Sequence, residues 1–240
     1  MNLIIDVGNT RIKLAVFKNS KIIHTESITL ENFEIITKQL IEKFKCINAI
    51  ISSVGSLKKT KINKLRTKIS LQELNFLTKI PFKNEYSTPK TLGVDRIALV
   101  TSAISNFPHK NVLIIDAGTC ITYDFVNLEG SYFGGAISPG LNMRYKSLNV
   151  FTNKLPLLKL ENSIPLIGNS TELSIHSGVI NGVINEIDSF INQYREKNKD
   201  LTVVLTGGDT NFLANRLKNS IFANPNFLLE GLNAILKYNL

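Results

Sequence analysis

"LIIDVGNTRI" occupies residues 3–12 and "LIIDAGTCIT" occupies residues 113–122, so the chain writes one pattern twice, more than a hundred positions apart. Each copy opens on a Leu-Ile-Ile run, reaches an Asp and then a Gly, and continues into a second run rich in β-branched residues. Short aliphatic runs bounded by Gly read as buried strands, and the Asp and Gly as the turn that joins them. Each copy is therefore predicted to be a hairpin with its carboxylate at the bend. The surroundings repeat as well. After the first copy come "KIIHTESIT", a helical stretch over 31–44, the strand "INAIISSV" and a helix near 57–69. After the second come "GSYFGGAIS", helical material from Leu141, a longer helix over 171–196 and the strand "LTVVLTGG", with helical segments from Thr210 and Phe227 closing the chain. The order hairpin, third strand, helix, strand, helix thus appears twice. This predicts two related α/β domains, residues 1–109 and 110–240, each a mixed sheet flanked by helices, with a cleft between them.

A chain of 240 residues, 43% of them hydrophobic and 20% charged, has the composition of an ordinary folded protein. Asp6 interrupts the amino-terminal apolar stretch before a signal-peptide core can form, and no later run reaches the length of a bilayer span. A soluble cytoplasmic protein without membrane attachment is expected. Cys46 and Cys120 lack metal-ligand spacing and are too few for a disulfide framework. The net charge of +9 is concentrated between Lys38 and Lys90, where twelve basic residues meet three acidic ones. Such a block can mark a nucleic-acid surface. Here the lysines alternate with Ile62, Leu65 and Ile69 at helical spacing and have little aromatic interleaving, which favours the solvated face of an amphipathic helix.

The hairpins carry the chemistry. A Gly-containing turn lets backbone N–H groups approach a polyphosphate, and an adjoining Asp can hold a metal ion. The first turn offers Gly8, Asn9 and Thr10 with Lys13 nearby; the second offers Gly118 and Thr119. Asp-x-Gly alone is a common hairpin turn, but two matched copies at the same point of a repeated domain point to function.

The pair resembles the phosphate-binding signatures of the acetate and sugar kinase, heat-shock ATPase and actin superfamily. With "DVGNTRIKLAVF" (6–17), "YSTPKTLGVDRIA" (86–98), "IDAGTCITYD" (115–124), "GGAISPG" (134–140), "GNST" (168–171) and "TGGD" (206–209), the chain resembles the type III pantothenate kinases, also called the Bvg accessory factor family. The resemblance implies two ribonuclease H-like, actin-like ATPase domains. It implies ATP-dependent phosphorylation of pantothenate to 4′-phosphopantothenate, the first step toward coenzyme A, with Mg²⁺ accompanying ATP, K⁺ or NH₄⁺ as a second cofactor, and a homodimer as the working assembly.

Carried over residue by residue, the resemblance makes Asp6, Val7, Gly8, Asn9, Thr10, Arg11, Ile12 and Lys13 the first ATP phosphate loop, with Asp6 also serving Mg²⁺, and makes Thr119 an ATP contact. Asp116 becomes a ligand of the monovalent cation. Asp95 becomes the general base toward the primary hydroxyl of pantothenate, and Tyr86, Gly93, Val94, Asp95, Arg96 and Thr171 line the pantothenate site. The residues alone leave other roles open. Asp95 at a helix start also offsets the helix dipole, Arg96 can equally face a structural carboxylate, and a Ser-Thr pair before a helix is also an N-cap signature. "TGGD" reads either as a close approach to a nucleoside or as a strand-to-helix turn capped by Asp209. Asp124 has a second-layer or structural reading, and Cys120 stands where the family pattern leads one to expect a small residue such as Ala.

Two other functions fit parts of the sequence. A non-enzymatic regulatory or nucleic-acid-associated factor would use the basic block and consume no ATP, an option that Asp6, Asp95 and Asp116 argue against. A phosphatase, or a kinase for another small alcohol, would share the phosphate loops and differ around Tyr86, Arg96 and Thr171.

Overall fold

The first hairpin is set by alternation. Along β1 (Asn2–Val7) and β2 (Ile12–Lys18), paired antiparallel, Leu3, Ile5, Val7, Ile12, Leu14 and Val16 fall on one face and are almost wholly buried. On that face they form a core with Phe33 and Leu40 of α1 (Phe33–Phe44) and Ile62 and Leu65 of α2 (Lys59–Arg66). The computed structural model describes residues 1–8, 11–53 and 57–240. Asn9 and Thr10 of the first bend, and Val54 at the end of the predicted fourth strand, lie outside the described residues.

The chain divides into two compact units, residues 1–109 with 130–132 and 226–240, and residues 110–129 with 133–225. In the first, β3 (Lys21–Ile28), β2, β1, β4 (Asn48–Ser53) and β5 (Ser70–Glu73) form a five-stranded sheet in that order, with β1–β4 and β4–β5 parallel. The sheet face opposite α1 and α2, which includes Ile4 and Ile50, is covered by α3 (Val94–Asn106) and α7 (Phe227–Tyr238), which pack on each other. In this unit β6 (Lys83–Asn84) also pairs in parallel with residues 131 and 132.

The second unit repeats the pattern. Here β9 (Ser131–Pro139), β8 (Cys120–Val126), β7 (Val112–Ala117), β10 (Thr202–Thr206) and β11 (Phe222–Ala223) follow the same spatial order as β3 to β5 of the first. Its core joins Leu113, Ile115, Ile121 and Tyr123 to Tyr145 of α4 (Leu141–Val150) and to Ile175, Val179, Val183, Ile187 and Ile191 of α5 (Thr171–Lys197). A short α6 (Thr210–Ala214) follows β10.

Two features depart from a division at 109/110. The terminal helix α7 and residues 130–132 belong with the first unit, because Leu229, Leu232, Ile235 and Leu236 bury an apolar stripe there and no sequence signal says which sheet such a stripe will cover. The edge strand β5, "SLQE", carries no aliphatic run and is held by its ladder with β4. Four of the twelve basic residues of the block, Lys59, Lys61, Lys64 and Arg66, lie in α2, whose Ile62 and Leu65 are buried. Lys64 reaches Glu34 at 3.1 Å, Arg66 pairs with Glu73, and Lys61 donates to the Leu30 carbonyl at 2.7 Å.

Candidate active site

Both repeated aspartates sit one residue before the end of a central strand. Asp6 is flanked across the sheet by Lys13 on β2 and Ser52 on β4, and Asp116 by Thr122 on β8 and Thr206 on β10. Register partners point to the same face, so each carboxylate has a hydroxyl beside it. The hydroxyls of Ser52 and Thr122 are buried and have no hydrogen-bond partner among the described residues. The bends are closed by the Gly8 N–H donating to the Arg11 carbonyl at 3.1 Å and the Gly118 N–H to the Cys120 carbonyl at 2.9 Å. Val7 and Ile12 commit their side chains to the core, which leaves only their main chain to face a ligand. Arg11 and Thr119 are exposed.

Burial pushes the Asp6 carboxyl up to about 6; the Lys13 charge opposes this and the Asp95 charge adds to it. The structure thus brings Asp6, Lys13 and Asp95 within electrostatic reach of one another in the first unit. Among the described residues no three His, Cys, Asp or Glu side chains gather as a metal site. A crowded carboxylate beside an unpartnered hydroxyl suits a hard cation that takes its remaining ligands from phosphate and water, as Mg²⁺ does. Asp116 beside Thr122 offers the same all-oxygen chemistry to a monovalent cation.

Asp95 is the second residue of α3, and one of its oxygens accepts from the Arg96 N–H at 2.8 Å. Gly93 makes room for it: a Cβ there would strike that same oxygen. Asp95 remains half-buried while Arg96 is only 5% exposed. The Arg96 guanidinium lies 5.5 Å from the ring centre of Tyr86 and 6.0 Å from that of Tyr132. Tyr86 therefore lies beside Arg96 at the start of α3, where Gly93 packs closely on Asp95. Tyr132 had no part in the sequence reading; its signal was only an aromatic at the start of the strand "GSYFGG".

In the second unit Gly207 has φ +99°. A side chain there would meet both the Ala117 carbonyl and a carboxylate oxygen of Asp116, so the "TGGD" turn lies against the second bend. Asp209 occupies the N-cap position of α6 but makes no side-chain cap bond, and burial raises its carboxyl above the usual range. Of the two readings of "TGGD", the side-chain cap by Asp209 is not made; the Thr210 hydroxyl donates to the Gly207 carbonyl at 2.7 Å.

At the start of α5 the capping hydroxyl belongs to Ser170, which accepts from the Leu173 N–H at 3.2 Å. Thr171, the next residue, is exposed on a cavity of about 950 Å³ that Arg144, Leu155, Gly168, Ser174 and Ile175 also line. Arg144 donates to the Pro139 carbonyl at 2.9 Å, to the Ser138 hydroxyl at 2.9 Å and to Glu186 at 2.5 Å, and Glu186 accepts from Tyr123 at 3.0 Å. Burial works against the Glu186 anion, but the bonds from Arg144, Ser138 and Tyr123 and the Arg144 charge outweigh it and hold its carboxyl below the usual range. The Gly140 N–H, next in the chain, donates to the Thr119 carbonyl at 3.1 Å and ties this network to the second bend. Asp124 is wholly buried on β8, and Cys46 and Cys120 are both unbridged.

Residues 2–193 match the sequence profile of a family described as type III pantothenate kinase. The chain belongs to the type III pantothenate kinase family. Curated type III pantothenate kinases from Christiangramia forsetii and Flavobacterium johnsoniae are 53% and 46% identical to it, each aligned over 100% of this chain and 99% of the relative. Among solved structures, a conserved Baf family protein of Campylobacter jejuni, described as a transcriptional activator, superposes with a TM-score of 0.65 at 20% identity, covering 99% of this chain and 98% of that one. A glucokinase from an Antarctic psychrotroph superposes with a TM-score of 0.54 at 13% identity, covering 99% and 98%. At such identities the likeness is one of fold, and it assigns this type III pantothenate kinase family member to the actin-like ATPase and sugar kinase architecture. Among its described residues no helix is long and apolar enough to cross a membrane.

Proposed function

We propose that the protein transfers the γ-phosphoryl group of ATP to the primary hydroxyl of pantothenate, giving 4′-phosphopantothenate, with Asp95 as general base. The observation that carries the reading is the juxtaposition of Asp6, Lys13 and Asp95 beside the Arg96–Tyr86 pair, in a chain 53% identical to a curated type III pantothenate kinase.

Phosphoryl transfer asks a protein for positioning and charge stabilisation rather than covalent chemistry. The resemblance gives Gly8, Asn9, Thr10 and Arg11 in the first bend, and Gly118 and Thr119 in the second, as the residues that would contact phosphate, with Lys13, in register with Asp6, as a nearby cation. Asp6 would hold Mg²⁺, and Asp116 with the Thr122 hydroxyl would hold K⁺ or NH₄⁺; when bound, these ions would offset charge on the transferring phosphate. Asp95 receives the hydroxyl proton late in transfer, when the new P–O bond has made it acidic. Arg96 presents N–H donors to the substrate carboxylate, and Tyr86, Gly93, Val94 and Thr171 shape the remainder of the pantothenate site. The working assembly is a homodimer, a reading supported by exposed apolar side chains on the second unit, among them Phe133, Ile137, Phe151 and Ile167.

The test is ADP release by purified protein with ATP and pantothenate, in K⁺ and in Na⁺ buffers, with the product's phosphate located by ³¹P NMR. K⁺-stimulated, pantothenate-dependent turnover that places phosphate on the primary hydroxyl is expected. ADP release that ignores pantothenate but responds to another alcohol would overturn the substrate assignment.

A further inference from the structure

We infer that Tyr132 is a positioning residue for substrate binding, holding Arg96 and Tyr86 in their binding-ready orientations through its ring; the inference rests on the pantothenate reading above. Tyr132 is fully buried. Its ring is nearly parallel to that of Tyr86, 21° between planes with 6.1 Å between centres, and meets Phe82 edge-on at 6.0 Å. The Arg96 guanidinium lies near both tyrosine rings. The backbone fixes the same group: Asn84 of β6 is in register with Tyr132, the Glu85 N–H donates to the Tyr132 carbonyl at 2.9 Å, and the Tyr86 N–H donates to the Asn84 side chain at 3.1 Å. One residue thus sets both the strand that delivers Tyr86 and the aromatic surface beside which Arg96 lies.

The physical consequence follows from how arginine recognises anions. A guanidinium whose plane is ordered beside π faces gives up little further freedom when a planar carboxylate arrives. The same charge on a loose side chain must be ordered during binding. The ring, rather than the hydroxyl, supplies this effect, and it acts on ground-state and transition-state binding alike. Loss of the ring therefore raises KM for pantothenate and leaves kcat nearly untouched.

The experiment compares Tyr132→Phe, Tyr132→Leu and Tyr132→Met with the parent, reading KM for pantothenate, KM for ATP, kcat and Tm. Phe is expected to stay within about threefold of the parent. Leu and Met are expected to raise KM for pantothenate about 5- to 30-fold, the worth of one to two cation–π contacts, with kcat and KM for ATP within about threefold. Met is unbranched and fills an irregular site, so it serves as the measurement if Leu does not fold. In the Tyr132→Met background, Arg96→Lys should raise KM for pantothenate less than it does in the parent. An unchanged pantothenate KM in folded Leu and Met variants overturns the inference, as does a parallel fall in kcat and rise in both KM values, which is the pattern of a general structural lesion. A parent that turns over pantothenate normally while these variants match it removes only the role of Tyr132, whereas a parent inactive on pantothenate removes the functional reading and this inference together.

Discussion

The carboxylates of Asp6 and Asp95 repel one another across the first unit, and this repulsion adds to burial in raising Asp6 to about 6 against the attraction of Lys13. A carboxyl raised in the fold favours its protonated form. Its contribution to stability is complete below the ordinary 3.8 and is lost as pH rises through about 6. In ligand-free protein, Asp6→Asn should therefore stabilise at pH 8 by on the order of 1–2 kcal/mol, with the gain vanishing toward pH 4. Urea denaturation at the two pH values checks this. For the parent, kcat/KM for ATP should show an acid limb near pH 6, where Asp6 gains a proton and ceases to attract a cation.

Gly207 tests the second bend. With φ at +99° and the Ala117 carbonyl and Asp116 carboxylate in the space of a side chain, Gly207→Ala combines backbone strain with a clash. A loss of about 2 kcal/mol or more in urea unfolding is expected, together with a weakened response to K⁺ as Asp116 is displaced. An unshifted unfolding midpoint would mean that the turn does not lie against the bend.

The adjacent hydroxyls of Ser170 and Thr171 have separable duties. Ser170→Ala removes the observed cap of α5 and should cost about 1 kcal/mol. Thr171→Val should leave the unfolding midpoint unchanged and raise KM for pantothenate about 3- to 10-fold, as expected for one lost hydrogen bond. The opposite pattern would exchange the two roles.

Arg144 joins the Ser138–Gly140 segment to α5 by three side-chain bonds. Arg144→Ala strips Glu186 of its cation and should destabilise by about 1–3 kcal/mol at neutral pH. Glu186 titrates below the ordinary 4.5, so the stability this pair supplies is present above that value and lost as pH falls through its lowered one. The penalty should therefore shrink in acid. Arg144→Lys should not restore the parent, because a single ammonium does not reproduce the guanidinium fork. Denaturation curves at neutral and acid pH read both expectations.

The duplication was legible in the chain because hairpin periodicity and turn residues are local signals: two Leu-Ile-Ile-Asp runs give two central strands, and the sheets repeat the same spatial order. Asp95 and Arg96 were legible as a motif, and the helix start that carries them was legible from the stripe that follows. What escaped was long-range. Tyr132 gains its place only because the start of β9 pairs with β6 in the first unit, and α7 joins that unit through packing that composition does not encode. Arg144 and Glu186, 42 positions apart in sequence, meet only once α4 and α5 share a core.

The most direct measurement is single-turnover and steady-state ADP formation by Asp95→Asn beside the parent, with saturating ATP, Mg²⁺, K⁺ and pantothenate. Asn keeps the side chain's size and can still accept the Arg96 N–H, but it is not a base. A fall in kcat of about 10²- to 10⁴-fold, with the folded state and KM for ATP preserved, is the predicted result. Turnover by the Asn variant at the parent's rate would contradict Asp95 as the group that takes the hydroxyl proton.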